Sequence, residues 1–186
     1  LIHSVYRLEK SGLEHVPDEG PAVLVSNHVS YVDALIIAAA CRRPIRFVMD
    51  HAIFRIPVLN FVFRTGRAIP IASSRDDPEL LERAYDEIAQ ALGAGDLVCI
   101  FPEGRITDNG EMYPFLAGIQ RISERTPVPV IPLALRGLWG SYFSRKGGPA
   151  MTRPFRRGAF SKIALAVGNP VSLQQVSIDA LLSRVF

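Results

Sequence analysis

The chain is poor in cysteine, in lysine and in long apolar runs. Its two cysteines, Cys41 and Cys99, each sit inside an apolar stretch, where a free thiol behaves as a small hydrophobe. Two such thiols make no disulfide framework, and with no CxxC or Cys/His ligand spacing a structural zinc site is set aside. A reducing, cytosolic compartment is the mild expectation. No stretch of about 18 uncharged apolar residues occurs, so a membrane-spanning helix is not expected. "IPVLNFVF" is bounded by Arg55 and Arg64, and "ALIIAAAC" stops at Arg42. At 186 residues the chain reads as one domain, 1–186, and no secretory signal is expected within it; because the first residue is Leu1, a piece of a longer chain is left open.

Lysine occurs only at positions 10, 146 and 162, so arginine supplies most of the 21 basic residues. Arginine suits bidentate phosphate recognition, in lipid head groups, cofactors or nucleic acid. A formal charge of +3 does not choose among them. Nucleic acid is disfavoured because no aromatic-basic strand motif or long basic face is present. A serine or thiol hydrolase is disfavoured too: no GxSxG occurs and neither cysteine lies at a polar turn.

What is present is an alternation of strand and helix signals, the pattern of an α/β fold with a mostly parallel or mixed central sheet flanked by helices. Apolar strands are predicted at 22–26, 45–49, 68–71, 97–101, 130–135 and 163–167, rich enough in Val, Ile and Leu to be covered on both faces. The clearest helix runs from Asp77 to Gly93, with Asp77 as cap, Pro78 in the first turn and Gly93 as stop. A second, from about Tyr31 to Cys41, is apolar nearly all round and predicted to be buried. A short helix is predicted from Ser177 to Val185, and 140–160 reads as loop.

Two polar clusters stand at strand ends. In "SNHVSYVD", His28 and Asp33 are five apart where a strand hands over to a helix. Ser30 and Asp33 have capping-box spacing, Asn27 suits a turn, and His28 can be an ordinary half-buried imidazole. Alternatively, His28 lies in the turn ahead of the helix and folds back on Asp33, which then fixes the ring tautomer and leaves the other nitrogen as a base. In "IFPEGRIT", Glu103 and Arg105 flank Gly104. This is either a turn with an ion pair or a phosphate site built from backbone N–H groups and a guanidinium.

Taken together, these stretches are identified by resemblance. "NHVSYVD" resembles the Asn-His-x-x-x-x-Asp signature of the glycerolipid acyltransferases related to 1-acylglycerol-3-phosphate acyltransferase. "FPEGRIT" is similar to that family's Phe-Pro-Glu-Gly block, "VPVIPLAL" to its fourth block, and "RTGRAIPIAS" stands in the place of its second. Order and spacing match over roughly Gly12 to Val171. "RGLWGSYFSR" further resembles bacterial members linked to lysophospholipid transporters or to acyl-carrier-protein synthetases, including 2-acylglycerophosphoethanolamine acyltransferase domains. The resemblance implies an O-acyltransferase with His28 as general base and Asp33 as its support. Glu103, Gly104 and Arg105 are implied at the acceptor phosphate or glycerol, with Glu103 orienting Arg105 or holding a hydroxyl, and Asn27 shaping the turn.

Two departures from the family pattern stand out. Ser73 replaces a second-block arginine, for which Arg67 or Arg75 are the substitutes. The usual Thr-Arg pair of the third block becomes Arg105-Ile106. The resemblance implies no cofactor, acyl-CoA or acyl carrier protein as co-substrate, a lysophospholipid acceptor, a membrane surface as partner, and the cytoplasmic face as location, peripheral or tethered by another part of the chain. The competing expectation is a non-catalytic lipid-binding module of the same fold. For membrane contact, 53–67 is either an interfacial segment or an ordinary core helix, and the Arg- and Phe-rich 152–160 either meets anionic lipid or is a solvated loop.

Overall fold

A computed structural model describes residues 6–55, 57–115, 117–151 and 161–171. Seven strands form one sheet: β1 (Tyr6–Ser11), β2 (Ala22–Ser26), β3 (Ile45–Asp50), β4 (Ile69–Ile71), β5 (Leu97–Ile100), β6 (Val130–Arg136) and β7 (Ser161–Val167). Their order is β1-β7-β6-β2-β5-β3-β4. Every neighbouring pair is parallel except β6 with β7, so the sheet is mixed, and the carboxyl ends of β2, β5 and β6 share one edge.

Alternation of side chains sorts the apolar strands between two layers. Leu24, Cys99, Ile131 and Leu133 face a layer that includes α1 (Asp33–Ala40). Val23, Val25, Val98 and Ile100 face α3 (Pro78–Gly93) and α4 (Gly118–Arg125). Residues such as Leu24 and Ile131 have no exposed surface. Truncating one to alanine costs about 2–5 kcal/mol, because the cavity collapses only partly. The two-faced burial anticipated for the apolar strands holds in β2, β5 and β6, whereas β3, β4 and β7 keep half-buried positions.

β1 escaped prediction, since "YRLEKS" is charged and carries no apolar run. It is an edge strand paired only with β7, where charged side chains are tolerated and discourage further pairing. Pro132 lies inside the central strand β6. Its carbonyl accepts from Gly168, so its absent N–H would face the β7 side, where the ladder begins only at Leu133.

Helix α3 begins as expected, with Asp77 accepting from the Leu80 N–H at 2.8 Å ahead of Pro78. Its stop is different: Gly95, at φ 86°, is the left-handed residue, with Gly95 N–H bonded to Leu92 and Asp96 N–H to Ala91. Gly93 remains helical. Helix α1 is shorter than predicted and only half covered. Ala34, Ile36, Ile37 and Ala40 are buried, whereas Leu35, Ala38 and Ala39 face outward. It packs on the sheet with one side, and no described residue covers the other.

Helix α2 (Pro57–Thr65) follows a 3-10 turn at His51–Arg55 and buries one side of its last turns while exposing the other. Phe63 is buried against Phe54, ring centroids 6.2 Å apart, while Phe61 is 74% exposed. Among the described residues no helix is long and apolar enough to cross a membrane. No group of three or more His, Cys, Asp or Glu among them is placed to hold a metal ion. Both thiols are free, and burial pushes each above its ordinary value. The predicted Ser177–Val185 helix and the 152–160 patch lie outside the described residues.

Candidate active site

Where β2 ends, its neighbour β6 runs on. The side-chain amide of Asn27 fills the next place in the ladder, donating to the Leu135 carbonyl (3.0 Å) and accepting from the Leu135 N–H (2.8 Å). This buried two-point clasp imitates a peptide group and frees the main chain to turn at His28. Asn27 therefore shapes the turn, by a contact 108 residues away in sequence.

The turn closes on Asp33, which has no exposed surface. One carboxylate oxygen accepts from the Val29 and Ser30 N–H groups at 2.6 and 2.9 Å and meets His28 Nδ1 at 2.9 Å. The other accepts the Ser30 hydroxyl at 2.5 Å. A carboxylate in that position requires the proton on Nδ1, which leaves Nε2 of a neutral ring with its lone pair. The His28 ring stacks on Phe101, centroids 4.3 Å apart and planes 20° apart, and 18% of its side chain stays open.

The capping-box reading of Ser30 holds only by half: Asp33 accepts the Ser30 N–H, but the Ser30 hydroxyl does not take the Asp33 N–H in return. Val32 is the N-cap, the Asp33 N–H meets the Ser30 carbonyl, and the buried Ser30 hydroxyl donates to Asp33. A hydroxyl committed in this way is a brace for the carboxylate. Asp33 does stand in the first helical turn, where negative charge suits the helix dipole.

The turn after β5 reaches the same place. Glu103, 4% exposed, accepts from the His28 N–H (2.7 Å) with one oxygen and from the Tyr113 N–H (2.8 Å) with the other. Thr107 N–H donates to the His28 carbonyl at 3.0 Å, so the peptide on either side of His28 is held by this second turn. The expected Glu103–Arg105 ion pair is absent, and Glu103 does not orient Arg105. A buried carboxylate needs donors close by, and backbone N–H groups supply them. Burial pushes the Glu103 carboxyl above its ordinary value, against the opposing pull of the two N–H groups and His28.

Gly104, at φ 67°, turns the chain so that Arg105 points outward. The Arg105 guanidinium lies 3.7 Å above the Tyr113 ring. Stacking occupies its face and leaves its N–H edge without an acceptor among the described residues. Tyr113 hydroxyl donates to Asp108 at 2.5 Å, a bond that holds the Asp108 carboxyl below its ordinary value.

The stretch read as loop from 140 onward docks against this site. Ser144 bridges to Ser30, Tyr31 N–H donates to the Phe143 carbonyl, and Trp139 lies so close over Gly110 that a Cβ there would stand 2.7 Å from the indole. Phe101, Thr107, Tyr113 and Trp139 were not singled out from sequence. Phe101 lies within the third block, whereas nothing in the local pattern marks Tyr113.

The structure thus brings together Asn27, His28, Asp33, Glu103, Gly104 and Arg105. It does not bring Arg67 there. Arg67 precedes β4 at the opposite edge, in the left-handed region (φ 53°), with its carbonyl held by Arg46. Arg75 follows β4 on the same edge as His28 but three strands away, about 14 Å by strand spacing.

Residues 7–136 match the family model described as Acyltransferase. A chloroplastic 1-acyl-sn-glycerol-3-phosphate acyltransferase of Brassica napus is 31% identical over 137 residues, covering 73% of this chain and 39% of the relative. The corresponding enzyme of Pseudomonas aeruginosa is 28% identical over 142 residues, 76% of this chain and 53% of its own. The chain therefore spans well under two thirds of these relatives. The fold is that of the crystal structure of the 1-acyl-sn-glycerophosphate acyltransferase PlsC from Thermotoga maritima. TM-score is 0.74 at 22% identity, over 98% of this chain and 70% of that one.

Proposed function

Because the chain belongs to the acyltransferase family, we propose that it moves a fatty acyl group from a thioester, acyl-CoA or acyl carrier protein, to the free hydroxyl of a lysophospholipid. The acceptors proposed are 1-acylglycerol-3-phosphate and 2-acylglycerophosphoethanolamine. The observation that carries this reading is the 2.9 Å contact between His28 Nδ1 and the buried Asp33, in a turn whose His28 main chain is held by Glu103 and Thr107, the residues on either side of the exposed Arg105. One ring nitrogen is oriented, the other is left basic, and the segment that holds the His28 backbone carries an exposed guanidinium.

The acceptor hydroxyl gives its proton to His28 Nε2 as its oxygen attacks the thioester carbonyl. The tetrahedral intermediate collapses with loss of the thiolate, which takes the proton back from the imidazolium. Asp33 stabilises the charged ring between those two events. General-base help of this kind contributes on the order of 10²–10⁴-fold. No acyl-enzyme and no cofactor enter the scheme, since the acceptor is itself the nucleophile. Arg105 binds the acceptor phosphate by its open edge, and Arg75 is the second-block substitute, because it leaves the same sheet edge. The domain works at the cytoplasmic surface of a membrane.

The test is a panel of labelled acyl-CoA and acyl carrier protein donors against lysophosphatidate and lysophosphatidylethanolamine, run beside His28→Ala. Transfer that depends on His28, with an unchanged circular dichroism spectrum in the variant, is the expected result. Transfer that survives His28→Ala sinks the mechanism. A properly folded wild type inert with every donor and acceptor favours a lipid-binding module instead.

A further inference from the structure

Helix α1 turns Leu35, Ala38 and Ala39 outward and the turn before it exposes Tyr31, with Tyr31 43% and Leu35 38% exposed and no charge among them. A helix face that stays in water ordinarily carries charged side chains. The docked 138–151 stretch adds Tyr142 and Met151, 38% and 48% exposed. The Tyr31–Phe143 backbone bond brings the two segments together. Bonds from the Met151 N–H to the Tyr142 carbonyl and from the Tyr142 hydroxyl to the Met151 carbonyl hold the turn. His28 lies three residues before Tyr31, so this face borders the candidate site.

We propose that Tyr31, Leu35, Tyr142 and Met151 form the face by which the domain sits on an anionic lipid surface, presenting His28 to acceptors lying in it. The proposal rests on the lysophospholipid reading above and gives it a location. Three observations favour a bilayer as the occupant. Asp33 at the start of α1 is buried, and beside Tyr142 the exposed charges are the cationic Arg145 and Lys146, with Asp108 the acid that faces Arg145. Anionic lipid attracts such cations at about 1 kcal/mol each. Two of the four side chains are tyrosines, whose apolar body and polar tip suit an interface. The patch is also far smaller than the roughly 20–30 residues a side of a stable protein interface. In sequence, Met151 is followed by Arg153, Phe155, Arg156, Arg157 and Phe160, which continue the same character.

The test is the double variant Leu35→Gln/Met151→Gln, neither residue being part of the catalytic or phosphate-binding machinery. Partition is measured by co-sedimentation with vesicles of phosphatidylcholine alone and of phosphatidylcholine with phosphatidylglycerol. The wild type is expected to prefer the anionic vesicles, and the variant to bind them on the order of tenfold less, given the apolar surface removed. Turnover of vesicle-borne acceptor falls with it, while turnover of a short-chain, water-soluble acceptor and the Tm stay at wild-type values. Equal partition of variant and wild type overturns the proposal. So does a Tm drop of several degrees or a change in particle size, either of which means that the face is covered by the chain's own residues or by a second copy. If the vesicle result holds while the wild type acylates nothing, the docking face stands and the acyltransferase reading falls.

Discussion

Both the turn after β2 and the turn after β5 carry a buried carboxylate, yet the two are employed at opposite ranges. Asp33 takes all its donors from the five residues ahead of it. Glu103 takes one donor 75 residues away and another 10 residues away, and so couples two turns that the chain does not connect. The first carboxylate makes a local device: a histidine aimed by its own loop. The second fixes that device in space, beside Phe101 below the ring and Arg105 at the rim. Orientation of the imidazole and its placement against a substrate are therefore separate jobs given to separate residues.

If that division is right, the variants should separate cleanly. Asp33→Asn is expected to have the largest effect. Its amide nitrogen meets donors where an oxygen accepted, the ring loses its aim, and kcat falls on the order of 10²–10⁴-fold, measured with saturating donor and acceptor. Glu103→Gln comes next: a kcat loss of about 10–10²-fold, as expected for a reacting group misplaced by a fraction of an ångström. The acceptor KM should hardly move. A raised KM with intact kcat would mean instead that Glu103 touches the acceptor, and the comparison would fail.

The same variant carries a pH signature. Burial raises the Glu103 carboxyl pKa in the folded state. Its contribution to stability is present below the ordinary carboxylate value of about 4.3 and is lost as pH rises through the raised value. The wild type should therefore lose Tm relative to Glu103→Gln as pH rises from about 4.3 through the raised value. A difference that stays constant across this range contradicts the buried, backbone-bonded carboxylate.

The smallest effect is expected at the rim. Arg105→Ala should raise the acceptor KM about tenfold, equivalent to roughly 1.4 kcal/mol, with kcat nearly unchanged, because the guanidinium binds ground and transition states alike. A kcat loss as large as that of Glu103→Gln would place Arg105 in the chemistry and erase the distinction between rim and core of the site.

Much of this was legible in the chain. The apolar strands read as buried on both faces because their Val, Ile and Leu runs leave no polar side, and the central β2, β5 and β6 have that burial while β3, β4 and β7 have it only in part. The Asp77 cap was visible because capping is decided within three residues. Errors arose where a distant partner decides. Gly93 looked like the stop because it is the first glycine after the apolar stripe, but the Schellman geometry needs the left-handed residue at Gly95. Helix α1 looked buried because its residues are apolar, although one side has no cover among the described residues. Ser30 looked like a cap because its spacing fits, and only the carboxylate's turn toward the histidine shows its hydroxyl spent on Asp33.

The local order of residues determined the elements and the reach of His28 toward Asp33, since both depend on torsions and neighbours a few positions apart. The tertiary structure alone decided that Asn27 would complete the β6 ladder, that Glu103 would hold the backbone of His28, and that Arg105 would stack on Tyr113 instead of pairing with Glu103. These contacts join strands whose adjacency comes from sheet order. A buried polar group takes whichever donor that order brings within about 3 Å.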